Sequence, residues 1–335
     1  MKEALYYYSL DNNRVQCRLC PFHCVLNQGQ TGICRVRTNI DGKLIAQSYG
    51  KICSYAFDPI EKKPLYHFYP GRKILSLGNV GCNLRCKFCQ NANISQTSPE
   101  EYKWMHEASV DEIMELDEFF TGNLGVAYTY NEPITWYEYM LDIAKEIKAS
   151  GGKNVMVTNG YIDSEPLSEL MPVMDAFSVD LKGFSEAFYH DLTSSSLAPV
   201  KKTLEMIAKS GKHLEIVNLI IPEYNDDKAV FLSMIDWINK SLGSETVLHL
   251  SRYFPHYQLK SQDTPVETLM SLFDLAKEVL PYVYVGNVVG QKGRNTYCPQ
   301  CGNLIVERCG YSSHIHGLTP SGECAVCKRK IPLII

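Results

Sequence analysis

The 335-residue chain is long enough to bury one full core and carry smaller attachments. Its 45% apolar and 21% charged residues are ordinary for a globular protein, and a net charge of −4 argues against a broad basic surface for nucleic acid. No apolar run reaches membrane-spanning length and Met1–Leu10 lacks a signal-peptide core, which predicts a cytoplasmic protein with no membrane partner.

Residues 1–70 form a Cys-rich metal-binding segment that ends in a linker. CRLCPFHC supplies Cys17, Cys20 and Cys24, and the turn GQTGIC supplies Cys34. The chain's 13 cysteines are odd in number and clustered at short spacings, which fits metal ligation in a reducing compartment better than disulfides. Four thiolates can close a tetrahedral zinc site; an auxiliary iron–sulfur cluster is the alternative, since cysteine spacing does not separate the two. A short β pattern, KLIAQSYGKICSYAF, follows, with Cys53 as a small core residue. DPIEKKPLYHFYPG then reads as a linker packed over a barrel mouth, its Tyr66, His67 and Phe68 serving core or rim packing rather than substrate contact.

From residue 71 to 290 strand and helix patterns alternate. Apolar runs occur at Ile74–Val80, Gly125–Tyr130, Asn154–Thr158, Ala176–Leu181, Leu214–Ile221, Thr246–Leu250 and Tyr282–Val285. Helical spacings lie between them, as in Met140, Ile143, Ala144 and Ile147, in Val200, Leu204 and Ile207, in Phe231, Met234 and Ile235, and in Leu269, Leu272 and Phe273. Ser109 with Glu112 and Thr135 with Glu138 read as capping boxes. The expected fold is α/β, a partial (β/α)6 TIM barrel with a small Cys-rich N-terminal domain. In such a barrel the site forms at the C-terminal ends of the strands.

After the first run comes GCNLRCKFCQN, with Cys82, Cys86 and Cys89 spaced as CxxxCxxC. With cysteine at this abundance, chance places that array in about two chains in a hundred, so the spacing is a signal. Thiolate is the ligand that iron–sulfur clusters and zinc prefer. Three such ligands leave one coordination position for water, substrate or cofactor, whereas a closed zinc site or an ordinary 4Fe-4S cluster takes four. An open iron can chelate the amino and carboxylate groups of S-adenosylmethionine (SAM). The rival is a zinc knuckle that borrows His67 or His106.

Polar residues gather at the other strand ends: Asn131-Glu132-Pro133, Thr158-Asn159-Gly160, Asp180-Leu181-Lys182, and His249 with Ser251 and Arg252. Glu132 can take an ammonium group by a charge-assisted hydrogen bond, and Lys182 and Arg252 can face a carboxylate. Thr158, Asn159 and Asp180 can bind carboxylate, amino or ribose groups directly or through a cation. The tail, 291–335, holds CPQC at Cys298 and Cys301 and CAVC at Cys324 and Cys327, the spacing of a zinc ribbon. Cys309, His314 and His316 lie between the knuckles as loop or core residues.

The cysteine loop resembles that of the radical SAM superfamily, in which the residue at Phe88 lies against the adenine; Asn91 closes the loop. Together with AYTYNEP, TNGY, SVDLKG, LIIPEYND, LHLSRYFPHY and YVYVGN, the chain is similar to the activating-enzyme branch, typified by pyruvate formate-lyase activating enzyme. It is more similar still to the AmmeMemoRadiSam system radical SAM enzymes. The resemblance implies a 4Fe-4S cluster on Cys82, Cys86 and Cys89, SAM contacts from Phe88, Asn91, Glu132, Thr158, Asn159, Asp180, Lys182, His249 and Arg252, and an oxygen-sensitive enzyme. It also implies Memo-type and AMMECR-type partner proteins and a low-potential electron donor such as flavodoxin or ferredoxin. Tyr130 and Asn131 replace a Gly-Gly of that branch, and Val157 replaces an aspartate that helps hold a cation. The expected activity is reductive cleavage of SAM to a 5'-deoxyadenosyl radical that takes hydrogen from a protein, peptide or small aromatic substrate. A glycyl radical enzyme activase and a non-catalytic cluster-binding sensor or scaffold are the alternatives.

Overall fold

In the computed structural model, which describes residues 1–290 and 292–335, the seven apolar runs become seven parallel strands. They are Lys73–Gly78, Gly125–Tyr128, Lys153–Thr158, Ala176–Asp180, His213–Ile220, Val247–Arg252 and Val283–Gly286. They pair in chain order, and Ser54–Pro59 adds an antiparallel strand at the first edge. The sheet thus has one parallel strand more than a (β/α)6 unit. Because the order never reverses, right-handed crossovers put every helix on one side and leave the other face free to curl inward.

Side-chain alternation divides the two faces. Leu75, Leu77, Val126, Met156, Phe177, Ile216 and Leu248 pack outward into the large core shared with the helices. Ala127, Val155 and Ala176 point inward, where they meet Ile60, Leu65 and Phe68 of the linker. The linker does line the cavity, through Glu61, Lys62, Lys63, Pro64 and Tyr66. Its apolar side chains fill the curled face near the strand starts, because burying them there removes more apolar surface from water than a rim position could. His67 is buried with them, its ring held by the Pro332 carbonyl at 2.9 Å and the Tyr284 hydroxyl at 2.6 Å. Tyr66 differs, since its ring reaches the cavity on the open side.

Helices form at Tyr137–Ala149, Leu197–Lys209, Lys228–Trp237 and Val266–Lys277, over the periodic patterns. Ser109 and Glu112 make a reciprocal capping box for Val110–Phe119. Thr135 and Glu138 do not. The Thr135 hydroxyl donates to the Glu132 carbonyl, and Glu138 is buried against the Arg37 guanidinium at 2.8 Å and the Leu5 N–H at 2.8 Å. A buried cation costs far more to leave unpaired than a helix cap contributes, so the carboxylate turns inward.

Two small three-stranded sheets build the N-terminal segment, and a third, Thr296–Tyr297, Leu304–Cys309 and Ser312–Ile315, builds the tail. Gln291, the expected first residue of that tail, lies outside the described residues. The tail is tied to the linker: Tyr69 N–H donates to the Ile334 carbonyl, and buried Arg308 lies 4.2 Å over the Tyr66 ring. Among the described residues, no helix is long and apolar enough to cross a membrane.

Candidate functional site

The first parallel strand ends at Gly78, and the cysteine loop then crosses the mouth under several restraints. Gly81 adopts φ +85°, and a Cβ there would stand 2.5 Å from the Cys34 carbonyl oxygen, so only glycine fits. Asn79 donates to the Lys51 carbonyl at 2.7 Å and Asn83 to the Tyr161 carbonyl at 2.8 Å. The backbone N–H groups of Arg85 and Lys87 donate to Thr193 and Leu192, each at 2.9 Å. These bonds set the path of the loop across the mouth.

Cys82, Cys86 and Cys89 all open onto one cavity of about 810 Å³. Burial pushes the Cys82 thiol well above its ordinary pKa and the Cys86 thiol up to about 12. Three sulfur donors converging on one cavity are the soft ligand set that iron and zinc prefer. The Cys89 sulfur sits 3.2 Å from the Ser95 hydroxyl.

The same cavity is lined by Phe88, Asn91, Glu132, Thr158, Asn159, Asp180, Lys182, His249 and Arg252, so tertiary structure brings together the residues expected to contact SAM, while Leu181 packs into the core. Several have neighbours that refine their expected tasks. Thr158 and Asn159 serve Glu132: the Thr158 hydroxyl donates to Oε1 at 2.6 Å and the Asn159 N–H to Oε2 at 2.7 Å. Burial pushes the Glu132 carboxyl up to about 7 despite these donors, and among the described residues no salt bridge reaches it. A buried carboxylate facing a cavity without a bonded cation is a fitted receptor for an ammonium group.

Burial opposes the charge on Lys182, yet Asp180, bonded at 2.8 Å, and nearby Cys86 hold its pKa above the ordinary value. Arg252 lines the cavity with its charge already engaged by Asp263 and its Nε bonded to the Thr264 carbonyl at 2.7 Å. His249 is likewise committed, its Nε2 2.6 Å from Glu215. Phe88 packs near Phe188, with ring centroids 6.0 Å apart, and Asn91 donates to the Tyr130 carbonyl.

One polar cluster on the wall has no strand-end signature. Lys63 is buried beside the cavity, 2.7 Å from Asp58, which also accepts from Lys62 at 2.8 Å and from the Tyr130 hydroxyl at 2.6 Å. Burial lowers the Lys63 pKa to about 8, against the pull of Asp58. Asp58 and Lys63 are five residues apart across the turn Ile60–Lys62, whereas Tyr130 is 72 residues from Asp58, so only the tyrosine is brought in by the tertiary fold.

In the tail, the sulfurs of Cys298, Cys301, Cys324 and Cys327 all lie within 4.8 Å of one another. His316 stands apart on Glu307 at 3.1 Å, and Cys309 is exposed rather than in the core. Cys17, Cys20, Cys24 and Cys34 surround a separate small cavity with Arg37 and Asn83.

A family model described as Radical SAM superfamily matches residues 78–235. The chain is 45% identical to the uncharacterized protein MJ0808 of Methanocaldococcus jannaschii over 338 aligned residues, 100% of each chain. It is 23% identical to the pyruvate formate-lyase-activating enzyme of Staphylococcus epidermidis over 51% of this chain and 70% of that one. Among solved structures, SuiB of Streptococcus suis bound to its precursor peptide SuiA superposes with a TM-score of 0.51 at 13% identity, covering 68% of this chain and 51% of that chain. That last likeness shows the fold.

Proposed function

The chain belongs to the radical SAM superfamily and is an enzyme of that class, and we propose that it cleaves SAM reductively and draws a hydrogen atom from a protein, peptide or small aromatic substrate. The observation that carries the reading is the convergence on one cavity of three thiols, a buried carboxylate without a bonded cation, and the Asp180–Lys182 pair. When bound there and given one electron by a low-potential donor, a 4Fe-4S cluster would split SAM into methionine and a 5'-deoxyadenosyl radical.

The chain's own residues hold and orient those groups. Cys82, Cys86 and Cys89 would hold the cluster, three thiolates leaving room for SAM beside it. Glu132 takes the ammonium of the methionine end, held at the correct angle by Thr158 and Asn159. Lys182 supplies positive charge toward the carboxylate, with Arg252 as a second cation at the rim. Phe88 gives an apolar face to the adenine, while Asn91, Asp180 and His249 complete the polar wall. The linker closes the floor, which keeps bulk water away from the reactive carbon. The Cys298, Cys301, Cys324 and Cys327 group holds zinc.

Anaerobic reconstitution with reductant and SAM should release 5'-deoxyadenosine, and Cys86→Ala should abolish release. Undiminished release from that variant would refute the reading. The resemblance to a pyruvate formate-lyase-activating enzyme favours a glycyl radical activase as the second reading. A glycine-centred EPR doublet on a partner protein would establish it. The longer motifs shared with AmmeMemoRadiSam enzymes support the first reading, with Memo-type and AMMECR-type proteins as partners in the cytoplasm; mass changes in those partners would identify the product.

A further inference from the structure

The chain has three cysteine groups, and their sulfurs are not equally close. In the tail, Cys298 and Cys327 are 3.5 Å apart and Cys301 and Cys324 are 3.6 Å apart. A tetrahedral ion with sulfur ligands at about 2.3 Å spaces them about 3.8 Å apart, so this group closes on a single ion. Among the described residues, no other group of three or more cysteines, histidines or carboxylates draws its ligand atoms within 4.8 Å. The Cys82, Cys86 and Cys89 trio is in the wider class, as thiolates on separate irons must be.

The N-terminal quartet is in that wider class too. Cys17, Cys20, Cys24 and Cys34 stand around a cavity that Leu19 and Leu26 help to seal. The cavity has an orphan as well. Arg37 lines it and is 1% exposed; one nitrogen serves Glu138 and the Leu5 carbonyl, but Nε and Nη1 find no acceptor. Two buried N–H donors without acceptors are costly, and the natural remedy is an acceptor inside the cavity. A cluster's inorganic sulfides and thiolates provide several, on an anion whose charge Arg37 offsets.

We propose that Cys17, Cys20, Cys24 and Cys34 bind a second iron–sulfur cluster, of the four-iron type and ligated by protein at every iron. It lies directly behind the loop that holds the first. Asn83 lines its cavity while neighbouring Cys82 lines the large one, and Gly81 packs on the Cys34 carbonyl. Zinc at this quartet would draw the sulfurs to the spacing seen in the tail.

The test uses the full-length triple variant Cys82→Ala/Cys86→Ala/Cys89→Ala, loaded anaerobically with ferrous iron, sulfide and zinc offered together. About four irons and four sulfides per chain should remain, with a reducible EPR signal. An iron-free variant carrying two zinc ions would overturn the proposal. Should that variant fail to fold, the wild-type protein decides: about eight irons support the second cluster, and about four irons with two zinc ions refute it. Loss of SAM cleavage leaves this metal count unchanged, and an iron-free quartet leaves the SAM reading standing, so the two can fail separately.

Discussion

Glu215, near the start of strand His213–Ile220, and Glu132, in the loop after strand Gly125–Tyr128 at the mouth, are both buried carboxylates, and their protonation is pushed in opposite directions. Burial disfavours charge on Glu215, but the chain surrounds it with donors. It accepts the Tyr66 and His67 N–H groups at 2.9 and 2.7 Å and stands 2.8 and 2.6 Å from the His213 and His249 ring nitrogens. These hold its carboxyl well below the ordinary range. Glu132 has the Thr158 hydroxyl, the Asn159 N–H and a long 3.4 Å contact from Ile134, and burial prevails, pushing it up to about 7. The first carboxylate is satisfied by its own chain and fastens the linker to the sheet. The second is left short of positive charge where a ligand can provide it.

The strongest way to break that contrast is Glu215→Ala. Removing the acceptor leaves two backbone donors and two imidazoles buried without it, and the unfolding midpoint should reflect a loss of about 3–5 kcal/mol. A loss within 1 kcal/mol of zero would show that the linker is held by apolar burial alone. Glu132→Gln should do the reverse: stability stays level or rises, while SAM affinity measured by calorimetry on the cluster-loaded protein falls by about 1.5–3 kcal/mol. His249→Ala sharpens the boundary, because the residue lines the cavity but is bonded to Glu215. It should cost about 1–2 kcal/mol of stability and little SAM affinity.

The pH dependence separates the two ends with opposite signs. Burial lowers the His67 pKa from 6.5 to about 3, so below pH 6.5 the unfolded chain binds a proton that the folded one refuses. Stability is then full above pH 6.5 and falls by up to about 1.4 kcal/mol per pH unit as pH drops toward 3. Glu215, with its depressed pKa, adds to the loss below its ordinary value of 4.5. Glu132, raised from 4.5 to about 7, contributes stability below pH 4.5 that is lost as pH rises through 7. Melting curves from pH 5 to 8 should show a flatter acid side in His67→Gln and a flatter neutral side in Glu132→Gln.

Much of the site was legible because its signals are local. Apolar runs alternating with helical spacings locate the parallel strands, and parallel strands leave their C-terminal ends on one side, so Cys82, Glu132, Thr158, Asp180 and His249 meet. Ligand spacing within a short loop is likewise a property of neighbours in the chain. The sequence thus determined the strand order, the cysteine loop and which strand-end residues reach the mouth. Tertiary structure alone decided that the linker fills the sheet's curled face, that Glu138 abandons a helix cap for Arg37 101 residues away, and that the Tyr130 hydroxyl reaches Asp58 from 72 residues away. The reason is physical: periodicity and caps depend on residues within a turn or two, whereas burial and charge pairing depend on residues that meet only once the chain has closed on itself.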